Sequence, residues 1–390
     1  MSKGVFEIKL FHYFLYANYI GIVFLSFYSD AQNPAFSYPD LRLFVPLVIF
    51  VIFLFSGYPN LLTKFLIKIP FEILFFYFLF TFIYTSKYIL SIGIDSIFLY
   101  GFITTLVYYI SLCIFNCSKA LEVSIAFAKI VIVVGLASTV IEIIQLKYLN
   151  YEYSEIFNNA KNHYTNNPAQ RPLGLTGNFS VNSALYIISL QYIIFCNSLD
   201  VKIKESRQMI LLFSLLSIIG VVLAQSGTGY LIMVFFILTH AFNLYSFPRI
   251  ILGVTISILS ALLIGQIFSI GKLSGDYFFH NIDIIKNYLN ELSNIDFLET
   301  ITGVGIRGNI DTFITLVFSE TGLLGIIFYA IFFISLYFRS SNHHGKIFVL
   351  ILFLSSLRYP AIANQITQVL ISFYFYIVFV MGSRRSYIER

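Results

Sequence analysis

Hydrophobic positions in this chain fall in long, nearly unbroken runs, with short polar connections between most of them. They do not alternate, as in a half-buried strand, and they do not form the single apolar stripe of a surface helix. A helix that crosses a membrane needs about 20 mainly apolar residues. Runs of roughly that length occupy residues 10–29, 41–57, 69–86, 94–115, 120–145, 181–199, 208–225, 228–246, 249–271, 311–338, 346–359 and 363–382. The pattern predicts an all-α, polytopic integral membrane protein of about twelve transmembrane helices, with residues 1–390 forming a single transmembrane domain. The run 346–359 is the shortest, and Pro360 divides it from the last one. That leaves two full spans, tilted spans or a re-entrant pair open at this end.

Composition agrees. Hydrophobic residues make up 58% of the chain and charged residues 11%, against about 25% charged in an ordinary soluble domain. A soluble protein of 390 residues has too little interior to hide that much apolar surface. Trp is absent and Tyr occurs 28 times, so Tyr must supply the aromatic belts at the membrane interfaces. The charged start MSKGVFEIKL leads into an apolar run without a small-residue cleavage site, and the first run is read as an uncleaved span. With the N-terminus inside, fourteen Lys and Arg residues lie in short segments on the inner side, including Lys64, Lys68, Lys119, Arg207, Arg339, Arg384 and Arg385. Nine lie on the outer side, spread over nearly twice the length. This bias places both termini in the cytoplasm. Cys113 and Cys117 share a helix face, but further ligands are missing nearby, so Cys113, Cys117 and Cys196 are read as buried free thiols.

Two connections break the rhythm. Residues 146–180 and 272–310 are each about 35–40 residues long, where each of the others has about eleven or fewer, and both fall on the outer side. Long loops in a compact protein are usually functional or disordered. In the second, Phe278, Ile282, Ile285, Leu289 and Leu292 recur at helical spacing, predicting an amphipathic helix over 276–292 on the membrane surface or over a cavity. The two loops end alike, the first in RPLGLTGNFSVN and the second in TGVGIRGNIDTF, each running into a span. Each ending has an arginine (Arg171, Arg307), glycines (Gly174 and Gly177; Gly303, Gly305 and Gly308) and an asparagine (Asn178, Asn309), and Asn182 follows in the first span. Glycine lets backbone N–H groups turn towards an anion, and arginine offers a planar fork that grips phosphate at two points. The pair suits a phosphate held at headgroup level. The alternative is that these cations anchor helix ends to lipid headgroups and the glycines only make turns. Neither ending is a Walker-type loop, and His163 and His280 stand outside any ligand-spaced cluster.

The first ending resembles the first-loop motif of bacterial O-antigen polymerases and the related O-antigen ligases. The stretch GVGIRGNIDTFITLVFSETGLLGIIFYAI resembles their second motif, with Gly303, Gly305, Asp311, Glu320, Gly322, Leu323 and Gly325 at the matching places. LAQSGTGYLIM resembles the tight turn that joins two spans between the loops. The resemblance covers the chain from about residue 120 onward. It implies a GT-C-type glycosyltransferase of the bacterial inner membrane with two large periplasmic loops, working without metal or cofactor. It also implies that the substrates are undecaprenyl-diphosphate-linked repeat units, within membrane lipid, and that the partners are a chain-length regulator and a flippase rather than nucleic acid. The ligases usually carry a histidine where this chain has Asp311, which argues for the polymerase.

The chemistry gives the candidate residues roles. Arg307 and Arg171 would meet negative charge as a diphosphate leaves the anomeric carbon. Asp311, four residues after Arg307, is open to two readings, a helix cap or the acceptor of the hydroxyl proton. Gly174, Asn178, Asn182, Gly305, Arg358 and Glu320 are candidate substrate-binding positions. Arg358, beside Pro360, can instead be an ordinary interfacial anchor. Lys129 and Glu320 lie inside predicted spans, where an ionisable side chain needs a partner, and are expected to pair with each other or with another span. Twelve spans with both ends inside also suit a flippase or other transporter. In that class the site lies near the bilayer midplane and the halves repeat.

Overall fold

The computed structural model describes residues 120–148, 172, 174, 179–199, 205–242, 297–303, 313–340, 342–356 and 364–381, and scattered positions in 105–113 and 249–257. The runs predicted at 10–29, 41–57 and 69–86, most of those at 94–115 and 249–271, and the 276–292 segment lie outside the described residues.

The described residues are almost entirely helical. In chain order they form α1 (Ala120–Tyr148), α2 (Phe179–Asn197), α3 (Arg207–Ala224), α4 (Gly227–Ala241), the short α5 (Phe297–Thr302), α6 (Phe313–Arg339), α7 (His343–Ser356) and α8 (Gln365–Phe375), which continues as a π-helical turn Tyr376–Met381. The predicted spans at 120–145, 181–199, 208–225 and 228–246 coincide with α1 to α4 within a few residues at most ends. The runs at 346–359 and 363–382 are two separate helices. Among the described residues, Ala120–Ile144, Arg207–Ala224 and Gly322–Arg339 are long and apolar enough to cross a membrane, and three shorter apolar helices accompany them. By length and composition, the described helices are those of a membrane protein.

Helix α2 is the hub. It packs against α1, α3, α4, α7 and α8, and it is buried on every side, its polar Asn182, Ser183, Ser189 and Gln191 included. Close approach to it relies on small residues, as expected where lipid removes the hydrophobic drive for helix pairing. A methyl group added at Gly229 of α4 would lie 2.6 Å from the Ser183 side chain, and one at Gly220 of α3 would lie 2.7 Å from the Tyr186 ring. Towards the other end of α2, Gln191 ties three helices together. Its amide nitrogen donates to the His344 carbonyl at 2.8 Å, and its amide oxygen meets His240 Nε2 at 2.8 Å. An aromatic cluster of Tyr192, Phe195, Phe348 and Tyr374 packs beside it. The opposite faces of α3 and α6 turn Leu211, Leu215, Ile331 and Ile334 outwards, which suits lipid.

Two features add to the sequence expectation. Lys129 pairs with Glu205, at 2.5 Å. Glu205 sits in the connection just before α3, and its backbone N–H is held by Asn197 Oδ1 at the end of α2. The Lys129 stem therefore reaches along α1 to a carboxylate at the helix ends, which relieves the cost of a charge in mid-span. The long run 311–338 is not one continuous span. Gly322 breaks α6 with φ 65 and ψ −161, a region that only glycine adopts readily. Glu320 therefore belongs to a half-helix ahead of the break, outside the apolar helix Gly322–Arg339.

Candidate functional site

Of the candidate positions, Gly174 and Asn182 are described in full and Glu320 by its backbone. Arg171, Asn178, Gly305, Arg307, Asp311 and Arg358 lie outside the described residues.

Gly174 and Asn182 meet. Gly174 has φ 69, in the left-handed region that glycine enters without steric cost. It lies directly against the Asn182 side chain, so that a methyl group on Gly174 would overlap the Asn182 amide. The first long loop thus enters the helix bundle at Gly174, and both Pro172 and Gly174 are buried. The Asn182 amide nitrogen donates to Thr139 Oγ1 at 3.0 Å and to the Tyr186 hydroxyl at 3.4 Å, and these two hydroxyls are 2.9 Å apart. Through its amide nitrogen Asn182, one of the candidate substrate contacts, joins α1 to α2.

The Gly174 backbone N–H points at a carboxyl group of the protein itself. Glu142 Oε2 accepts this bond at 2.9 Å. Glu142 lies in the last turn of the apolar stretch Ala120–Ile144 and is 4% exposed. A carboxylate taken out of water is costly unless hydrogen-bonded, and the loop's backbone supplies one such bond. Sequence reading missed Glu142 although the signal was present: it is an ionisable residue within a predicted span, the rule that drew attention to Lys129 and Glu320. Its partner was not readable, because Gly174 is 32 residues away.

The second loop ends on a matching device. Gly303, with φ 83, follows α5. The stretch from Ile301 to Gly303 rests on the broken point of α6. A methyl group on Gly322 would overlap the Ile301 carbonyl and stand 2.5 Å from the Gly303 nitrogen. Gly303 and Gly322, 19 positions apart in the motif-bearing stretch, are therefore in backbone contact. The corner between α3 and α4 is a third tight place: Gln225 is left-handed, and Ser226, at the N-cap position of α4, turns its hydroxyl to Ser180 Oγ at 3.2 Å instead of to the helix backbone.

Among the described residues, no group of three or more His, Cys, Asp or Glu side chains gathers to hold a metal ion. No family model matches the chain, and neither curated proteins nor solved structures give a match.

Proposed function

We propose that this protein is a polysaccharide polymerase of the bacterial inner membrane. It transfers a growing glycan from undecaprenyl diphosphate to the next lipid-linked repeat unit, with Arg171 and Arg307 stabilising the diphosphate and Asp311 placed to take the acceptor proton. One observation supports this above the others. Each long loop carries a left-handed glycine seated on a helix of the bundle, Gly174 against Asn182 and Glu142, and Gly303 against Gly322. Loops held at such points suit catalytic positioning, in which charged groups must be held before the reaction starts. Loops that only connect spans have no need of it.

The break in α6 favours a second reading. Discontinuous helices line the sites of many transporters, and a flippase for the same lipid-linked glycan would also meet its substrate among these helices. One experiment separates the two. In a strain lacking the protein, a lost polymerase leaves single repeat units on the cell surface, and a lost flippase leaves none. Purified protein supplied with lipid-linked repeat units should then lengthen them. Absence of elongation, together with complete loss of surface glycan in the deletion strain, would overturn the polymerase reading.

A further inference from the structure

Glu142 has a place in the structure that the motif residues do not account for. It is buried at the end of a membrane-length helix, where an unsupported carboxylate is expensive. The loop segment it holds has little freedom. Pro172 has a fixed φ and no N–H, and Gly174 is clamped between the Glu142 carboxylate on one side and the Asn182 amide on the other. The Asn182 amide is itself fixed by Thr139 and Tyr186. Behind it the Tyr186 ring is wedged between Gly135 and Gly220, where added methyl groups would stand 3.2 Å and 2.7 Å away. A chain of contacts therefore runs from α3 through Tyr186 and Asn182 to the loop backbone, and Glu142 closes it from α1. Arg171 is joined to this held segment by the single peptide bond to Pro172.

We propose that Glu142 is a positioning residue: its carboxylate, by accepting the Gly174 N–H, fixes the end of the first long loop so that the residues preceding Gly174 in the chain are presented to substrate in one place. The proposal rests on the polymerase reading for its consequence in turnover, and on the hydrogen bond alone for its structural part. Glu142 does not touch substrate in this scheme. Its charge is not what matters, since a neutral side-chain amide of the same length keeps a carbonyl oxygen to accept the same N–H. Shortening the side chain by one methylene keeps the charge and withdraws the acceptor.

The test uses the full-length protein in lipid nanodiscs, with amide hydrogen exchange resolved at Gly174 and, separately, elongation of lipid-linked repeat units. Gly174 should be protected in the wild type and in Glu142→Gln. It should exchange about tenfold or more faster in Glu142→Ala and Glu142→Asp, as expected when a buried backbone bond is lost. Glu142→Asp covers the case in which the alanine variant fails to fold. Turnover should follow the same order. In Glu142→Asp kcat should fall about tenfold or more with KM nearly unchanged, the sign of a misplaced catalytic group rather than lost binding, and Glu142→Gln should retain most of it. Fast exchange at Gly174 in the wild type, or equal protection in all four proteins, would overturn the latch. Slowed turnover in Glu142→Gln equal to that in Glu142→Asp would also overturn the proposal, because it would make the charge itself the requirement. If exchange follows expectation but no wild-type elongation occurs, the latch stands and the polymerase reading fails.

Discussion

Tyr186 shows how individual residues set the bundle. Its ring occupies a slot that exists only because α1 and α3 carry Gly135 and Gly220 opposite it, and its hydroxyl reaches Thr139 and Asn182. The two parts of the side chain can be tested separately. Tyr186→Phe keeps the ring and removes the hydroxyl, and should destabilise by about 1 kcal/mol, the usual net value of one such bond. Gly220→Ala keeps the hydroxyl and overfills the slot, and should cost about 1–3 kcal/mol. The chain has no Trp, so the readout is the temperature at which half of the detergent-solubilised protein leaves the monodisperse peak on size-exclusion chromatography. A larger loss in Tyr186→Phe than in Gly220→Ala would show that the hydrogen bonds, not the slot, control this contact. The same reasoning separates Lys129 from Glu205. Each is about one-fifth exposed, 23% and 21%, so neither is a freely solvated charge. Lys129→Met alone leaves Glu205 without its ion partner, and Glu205→Gln alone does the converse. The double variant removes both charges and should be less destabilised than the sum of the singles, by about 1 kcal/mol. Strict additivity would mean that the pair contributes nothing.

At the level of elements, the breaks carry more information than the helices. Helices α1 to α4 could be read from the sequence because each is an apolar run with a polar boundary, and membrane insertion depends on that composition more than on tertiary detail. The break in α6 could not be read. A glycine inside an apolar run is compatible with a continuous helix, and what makes Gly322 a break is the backbone of Ile301 to Gly303 lying against it. The cause lies about twenty residues away and is visible only after folding. The partner of Lys129 was not legible for the same reason, since Glu205 is in a connection that hydropathy treats as mere linker. Gly322→Ala therefore makes a sharp test. It brings backbone strain, about 1–3 kcal/mol at such a φ and ψ, and it puts a methyl group into the Ile301 carbonyl, which as backbone cannot swing aside. The variant should lower the size-exclusion midpoint clearly. A variant as stable as wild type would mean that α6 can straighten into one continuous span.

At the scale of the whole molecule, Gly174 and Gly303 belong to one packed body. The first is held by α1 and α2, the second by α6, and α7 joins α6 to α2. The candidate residues that follow in the motif, Arg307 and Asp311, come four and eight positions after Gly303, and their roles are distinguished by kinetics. If Arg307 stabilises the departing diphosphate, its contribution grows as the anomeric bond breaks, because that is when negative charge accumulates on the leaving group. An interaction of this kind is stronger in the transition state than in the ground state, so Arg307→Ala should lower kcat far more than it raises KM. Loss of one aimed, charged hydrogen-bond donor typically costs a factor of about 10²–10³. Arg307→Lys should recover only part of it, since a point charge replaces a two-point fork. Asp311 answers a different question. As a proton acceptor, Asp311→Asn should leave almost no turnover while the protein stays folded, because Asn caps a helix nearly as well as Asp. As a cap alone, Asp311→Asn should work like the wild type and Asp311→Leu should be the damaged one. Elongation of purified lipid-linked repeat units, measured for the four variants beside Arg171→Ala, reads all of these at once. Wild-type turnover in Arg307→Ala together with wild-type turnover in Asp311→Asn would move the reacting centre away from the second loop, and the burden of phosphate binding would then fall on the first loop, where Arg171→Ala should alone abolish elongation.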